Sequence, residues 1–284
     1  MKLDLYTRTC LDCSKRITLN YSTSFSSGVH MLHPRFHDEI YAIYGFVRFA
    51  DEIVDTFHDA NKAKLLEDFK NETFEAIYNK VSLNPVLHSF QWTVNKHSID
   101  HELIHAFLYS MQLDLTETNY SPELFATYIY GSAEVVGLMC LSVFCDTNIE
   151  YQQLIHPARK LGEAFQKVNF LRDIKSDYID RGRNYFPNIN FNSFSEIDKN
   201  LIVKNITKDF VEAYEGIYSL NADARKGVFI AYLYYLELLT QIKNTPYQLL
   251  LTQRIRVPGY RKVLLAFKTN IIAFFGIYPK PKKR

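Results

Sequence analysis

Helical periodicity constrains this chain more than any other feature. Apolar residues recur at alternating steps of three and four across residues 35–57, 65–78, 102–113, 122–144, 157–178 and 209–242. The clearest interruptions are 82–85, 116–121 and 182–195, the last carrying Pro187 among several Asn and Ser residues. Ten Gly and nine Pro in 284 residues leave few obligatory turns, so long helices are favoured over a many-stranded sheet. With 21 Phe and 20 Tyr there is ample material for a core. No internal repeat or low-complexity linker divides the chain. The expectation is an all-α helical bundle, residues 1–284 forming one domain with a basic tail at 279–284.

Within that pattern, two segments place acidic residues where a solvated face would not. In 35–57, Phe36, Ile40, Ile43, Val47, Ala50, Val54 and Phe57 form an apolar seam. Tyr44, Arg48, Asp51 and Asp55, spaced four, three and four, make a second stripe beside that seam, whereas Glu52 falls on the far face. In 157–178, Gln166, Asn169, Asp173 and Asp177 form a matching stripe next to Ala158, Leu161, Phe165 and Val168. Carboxylates at i and i+4 are neighbours and repel one another unless a cation neutralises them. Magnesium takes hard oxygen ligands, commonly one or two carboxylates plus substrate phosphate. Two facing pairs therefore suit several magnesium ions around a diphosphate, with Arg48, Arg172, Arg181 and Arg183 as phosphate partners.

Other classes are weakly supported. A net charge of +2 argues against a nucleic-acid binder. Cys10 and Cys13 form a lone CxxC, and Cys140 and Cys145 lie in an apolar stretch; free thiols are expected, which fits a cytoplasmic protein. The first residues show no apolar signal region. The apolar run 263–278 is interrupted by Lys268 and falls short of the roughly 20 residues a spanning helix needs. A surface-lying amphipathic segment and a core helix with a solvated tail both remain open for it. His101-Glu-Leu-Ile-His105 matches the HExxH pattern of zinc proteases, but residues 106–145 supply no convincing third ligand.

Taken together, the motifs resemble the squalene and phytoene synthase family, over about residues 21–268. Tyr21-Ser-Thr-Ser-Phe25 is similar to the family's N-terminal SxSF element, and Arg48-Phe-Ala-Asp-Glu-Ile-Val-Asp55 to its first aspartate-rich motif. Tyr128-Ile-Tyr-Gly-Ser-Ala-Glu-Val-Val-Gly137 resembles the central tyrosine motif. Gln166-Lys-Val-Asn-Phe-Leu-Arg-Asp-Ile-Lys-Ser-Asp177, with Arg181-Gly-Arg-Asn-Tyr-Phe-Pro187, resembles the second aspartate-rich motif and its tail. The resemblance implies an isoprenoid-synthase-type bundle with a central cavity, in which two prenyl diphosphates are joined head to head through a cyclopropyl diphosphate. It implies Asp51, Asp55, Asn169, Asp173 and Asp177 as holders of Mg2+, with Mn2+ as the alternative ion. Arg48, Gln166, Asn169 and Arg172 would position the diphosphates, and Ser22 and Ser24 would touch phosphate. Phe25, Tyr44, Tyr128 and Tyr235 would line the cavity, their faces stabilising cations without quenching them.

One departure stands out. Where relatives commonly carry Ala-Gly, this chain has Ala133-Glu134, and Glu134 is expected to make a polar contact between helices rather than to join the metal site. Arg254-Ile-Arg-Val-Pro-Gly-Tyr-Arg-Lys262 resembles the ending of bacterial phytoene synthases, and Val29, one turn beyond Phe25, is small enough to admit a long chain. The expected reaction is phytoene formation from geranylgeranyl diphosphate without NADPH. A C30 product from farnesyl diphosphate is the runner-up, and a non-catalytic assembly factor the alternative outside enzymes. Apolar substrate tails also imply peripheral membrane contact.

Overall fold

The helical signals are met by thirteen α-helices in a computed structural model that describes residues 4–280. In order they are α1 (Leu5–Tyr21), α2 (Thr23–His30), α3 (His37–Asp55), α4 (Lys62–Asn79), α5 (Pro85–His97), α6 (His101–Thr116), α7 (Pro122–Ile129), α8 (Val135–Phe144), α9 (Asn148–Arg172), α10 (Glu196–Ser219), α11 (Ala222–Asn244), α12 (Tyr247–Leu250) and α13 (Gly259–Phe275). Among the described residues no strand forms; a single isolated bridge joins Asn119 and Asn184. The basic-tail residues Lys282, Lys283 and Arg284 lie outside the described residues.

Local chemistry sets most helix starts. Asn84 caps α5 ahead of Pro85, and Ser121 caps α7 ahead of Pro122. Ser195 and Asp198 close a reciprocal capping box at the start of α10. Asn221 caps α11 and breaks the expected 209–242 helix in two, its side chain accepting from the Ala224 N–H. The expected 157–178 helix begins earlier, at Asn148, and keeps Pro157 inside it. It ends at Arg172, with Asp173 as its C-cap and a π-helical turn, Lys175–Asp180, following. A second π-helical turn, Tyr130–Glu134, joins α7 to α8. Phe57, assigned to the apolar seam, falls beyond the end of α3 and is exposed.

Two apolar clusters result. One gathers α3 to α6 and α8 around the stacked rings of Phe46 and Phe90, and the other gathers α9 to α11 with Tyr185, Phe186, Phe191 and Phe194. Val228 on α11 packs against both. Close helix approach depends on small residues: a Cβ on Gly162 of α9 would stand 2.6 Å from the Ala133 carbonyl oxygen. The run Pro122–Phe144 is long and apolar enough to cross a membrane by length and composition, yet half of it is buried and its residues Ser132, Ala133 and Val136 line an internal cavity.

Candidate active site

That cavity, about 320 Å³, lies between the clusters and takes its walls from α2, α3, α8, α9, α10 and α11. Small residues open it: Gly28, Val29, Ala133, Gly137, Gly162, Gly216 and Gly227 all face it. Leu32, Ile40, Leu141, Phe144 and Leu154 add apolar wall, and its cysteine, Cys140, is one of four free thiols. Phe25, Tyr44, Gln166 and Tyr235 also line it. Phe25 stacks on Tyr44 with centroids 4.7 Å apart, and Tyr235 stacks on Phe165 at 3.9 Å. The Tyr235 hydroxyl donates to Asn169 Oδ1 at 3.3 Å, and Asn169 Nδ2 donates to Gln166 Oε1 at 3.3 Å. The polar stripe of α9 therefore reaches the cavity.

The two aspartate pairs meet across one guanidinium. Arg181 Nη1 is 3.3 Å from Asp55 Oδ1 and 3.7 Å from Asp177 Oδ1, linking α3 to the segment after α9. Arg183 Nη1 adds a contact to Asp55 at 3.4 Å. Asp173 is clasped by Arg172, whose Nε and Nη2 lie 3.0 and 2.5 Å from its oxygens, and by Arg254 Nε at 2.7 Å. Arg48 Nη1 stands 3.7 Å from Asp51, its guanidinium covers the Tyr21 ring at 4.4 Å, and its Nε has no hydrogen-bond partner. Arg48 also pairs with Glu52. Glu52 is thus no solvated far-face residue, because its side chain turns back along the helix to the arginine.

Burial and like charge act on these carboxylates. Burial pushes Asp51 up to about 7, with Asp55, Asp114 and Glu52 adding to the rise against the pull of Arg48. Asp177 is likewise raised to about 7 by burial and by Asp173, with Arg181 and Arg183 opposing. Among the described residues no three His, Cys, Asp or Glu side chains converge tightly enough to hold an ion; the acids are engaged by arginines instead. The donor set nonetheless suits a hard divalent cation, being carboxylate oxygen on both sides of the mouth. Its arginines are already matched to aspartates, so a diphosphate entering here brings negative charge that further cations must balance.

One expected position differs. Tyr128, placed on the cavity wall by the resemblance, is not among the lining residues. It is buried because its hydroxyl donates to Asp114 Oδ2 at 2.7 Å and its ring stacks on Tyr185 at 5.1 Å. Ser22 caps α2 by accepting from the Phe25 N–H at 3.2 Å, and Ser24 accepts from Lys262 Nζ at 2.8 Å. Glu134 pairs with Arg159 Nε at 2.5 Å, the polar helix contact expected of it. His101 and His105 lie on the exposed side of α6, His105 stacked on Phe74 at 4.2 Å.

Sequence reasoning missed Asp114. Burial raises it to about 6, against Arg183 and the hydroxyls of Tyr128 and Tyr185. Tyr185 donates to its Oδ1 at 3.0 Å, and Arg183 Nη2 donates to its carbonyl at 2.9 Å. This buried group holds Arg183 against Asp55. Asp114 has no acidic residue four positions away, and Glu117, three positions on, lies past the end of α6, so no DxxxD pair marks it. Arg254 and Lys262 were visible only as members of a C-terminal motif, without their partners.

Comparison with known proteins agrees with this geometry. Residues 18–197 match the profile of the family described as squalene/phytoene synthase. A phytoene synthase of Arthrospira platensis is 26% identical over 276 residues, covering 88% of this chain and 89% of its own length. A 4,4'-diapophytoene synthase of Staphylococcus haemolyticus is also 26% identical, over 263 residues, covering 82% and 87%. The crystal structure of a dehydrosqualene synthase superposes with a TM-score of 0.83 at 23% identity, covering 96% of this chain and 98% of that one. The chain belongs to the squalene/phytoene synthase family, prenyl transferases that form carbon–carbon bonds between prenyl diphosphates.

Proposed function

We propose that this enzyme condenses two molecules of geranylgeranyl diphosphate head to head into phytoene, releasing two diphosphates, in the cytoplasm and with no use of NADPH. The observation that carries the reading is an apolar cavity walled by small residues, whose Gln166 and Tyr235 bond to Asn169 on the same stripe as one of two aspartate pairs that meet across Arg181. Asp51, Asp55, Asn169, Asp173 and Asp177 would hold Mg2+, or Mn2+ in its place. When bound, such ions would supply Lewis-acid neutralisation of the leaving diphosphate.

The protein's own side chains account for the rest. Arg48, Arg172, Arg181 and Arg183 orient diphosphate oxygens, and Arg48 Nε is a donor with no partner of its own. Ser22, Ser24 and Gln166 would add smaller donors to the diphosphates. Once the first diphosphate leaves, the double bond of the second substrate attacks the allylic cation, and loss of a proton to the released diphosphate closes the cyclopropyl diphosphate. The faces of Phe25, Tyr44, Phe165 and Tyr235 stabilise the positive charge, and the apolar walls keep water from trapping it. Departure of the second diphosphate from the cyclopropyl intermediate gives a cation that rearranges, and loss of a proton from it then yields phytoene.

The C30 alternative has support of its own, since the diapophytoene synthase relative matches at the same 26% identity. Competition between equal concentrations of the two diphosphates separates the readings. A kcat/KM ratio of about tenfold or more for the C20 substrate, unchanged by NADPH, is expected. A ratio favouring farnesyl diphosphate would assign the C30 product.

A further inference from the structure

The C-terminal helix α13 has its sides reversed. Thr269 and Ile272 are buried against the bundle, with Leu265, Ala266 and Ala273 half-buried beside them. At 100° per residue the opposite arc carries Val263, Leu264, Phe267, Ile271, Phe274 and Phe275, all exposed. Phe274 is 84% exposed, Val263 69% and Phe267 65%. No charged residue interrupts that arc; Lys268 stands at its border, and Tyr260 and Ile277 prolong it at either end. Single exposed apolar side chains are ordinary, but a whole outward helix face is an interaction surface.

The segment that carries this face is basic, although Arg261 of α13 is paired with Glu237 of α11. Residues 238–284 contain ten Lys and Arg and no Asp or Glu, so the chain's +2 divides into +10 here and −8 in the first 237 residues. Beside the C-terminal end of α13, a groove of about 730 Å³ has Phe274, Phe275 and Tyr278 on one side and Arg225 and Lys226 of α11 on the other. Near its N-terminal end, Lys262 contacts Ser24 and Arg254 pairs with Asp173. The helix therefore begins at the mouth of the active site.

We propose that this face docks on an anionic lipid surface. α13 lies in the membrane plane, its apolar arc in the boundary between headgroups and acyl chains and its flanking cations on the anionic headgroups. A second copy of the chain is a poor match, because face-to-face pairing would bring two strongly basic segments together. Docking in this way sets the cavity mouth close to the bilayer that dissolves prenyl tails. The inference does not depend on which chain length the enzyme prefers.

The test is flotation of the full chain with phosphatidylcholine vesicles, with and without phosphatidylglycerol. Wild-type protein is expected to float with the anionic vesicles, and much less as salt rises or with phosphatidylcholine alone. Lys268→Ser and Lys280→Ser should each weaken partitioning about fivefold. Phe267→Asp with Phe274→Asp should abolish flotation while the thermal melt and turnover of detergent-dispersed substrate stay unchanged. Flotation of that double variant like wild type would overturn the proposal. So would a wild-type protein that ignores both vesicles, or a wild-type dimer that the same substitutions convert to monomer.

Discussion

The mouth of the site and the chamber beneath it are built on opposite principles. At the mouth, four aspartates from α3 and the end of α9 are interlocked with Arg48, Arg172, Arg181, Arg183 and Arg254, and Asp114 backs the network from below. In the chamber almost every wall is carbon, and its shape comes from glycine, alanine and valine rather than from any bonded network. The first region can neutralise a leaving group and has little control over chain length. The second can measure a chain and offers few groups that could ionise one. Rate and product length should therefore respond to different substitutions.

The largest expected effect lies at the mouth. Asp51→Asn or Asp173→Asn should lower kcat about 10³-fold or more on both C15 and C20 diphosphates, because each removes a carboxylate that would hold the cation balancing the departing diphosphate. A variant that lost activity on one chain length only would break the comparison. Excess EDTA should have an effect of the same order, reversed by added Mg2+, in a continuous assay of diphosphate release.

Next comes the chamber. Val29→Phe, which fills the wall one turn beyond Phe25, should reduce kcat/KM for the C20 substrate roughly 10- to 100-fold and spare the C15 substrate. Equal losses on both would mean that the chamber does not measure length. Behind the mouth, Tyr128→Phe removes the 2.7 Å donor to the buried Asp114. It should destabilise the protein by about 1–3 kcal/mol, read as a lowered melting temperature. The smallest effect is expected away from both regions. Glu134→Gln keeps a hydrogen-bonding side chain beside an Arg159 that is 45% exposed, so a loss of about 1 kcal/mol is expected, with kcat and product unchanged.

Legibility in the sequence follows the same division. Asp51, Asp55, Asp173 and Asp177 could be read because their spacing is local and their stripe runs beside an apolar seam. The break at Asp173 and the π-turn after it could not, since they depend on packing at the end of α9. Asp114, Lys262 and Arg254 are joined to the site by contacts across 60 to 240 positions, so no window of sequence contains both partners. The chamber was the least legible part. Gly162 and Gly137 look unremarkable along the chain, and only the crossing of α8 and α9 turns them into space. The outward face of α13 was visible as an apolar run, but which side it turned to the bundle required the fold.

The most direct test of the account is incubation of the purified chain with geranylgeranyl diphosphate and Mg2+, without NADPH, with hydrocarbon and diphosphate measured together. The account predicts phytoene and two diphosphates for each molecule formed. Diphosphate release without a C40 hydrocarbon, or no turnover by folded, metal-supplied protein, would contradict it.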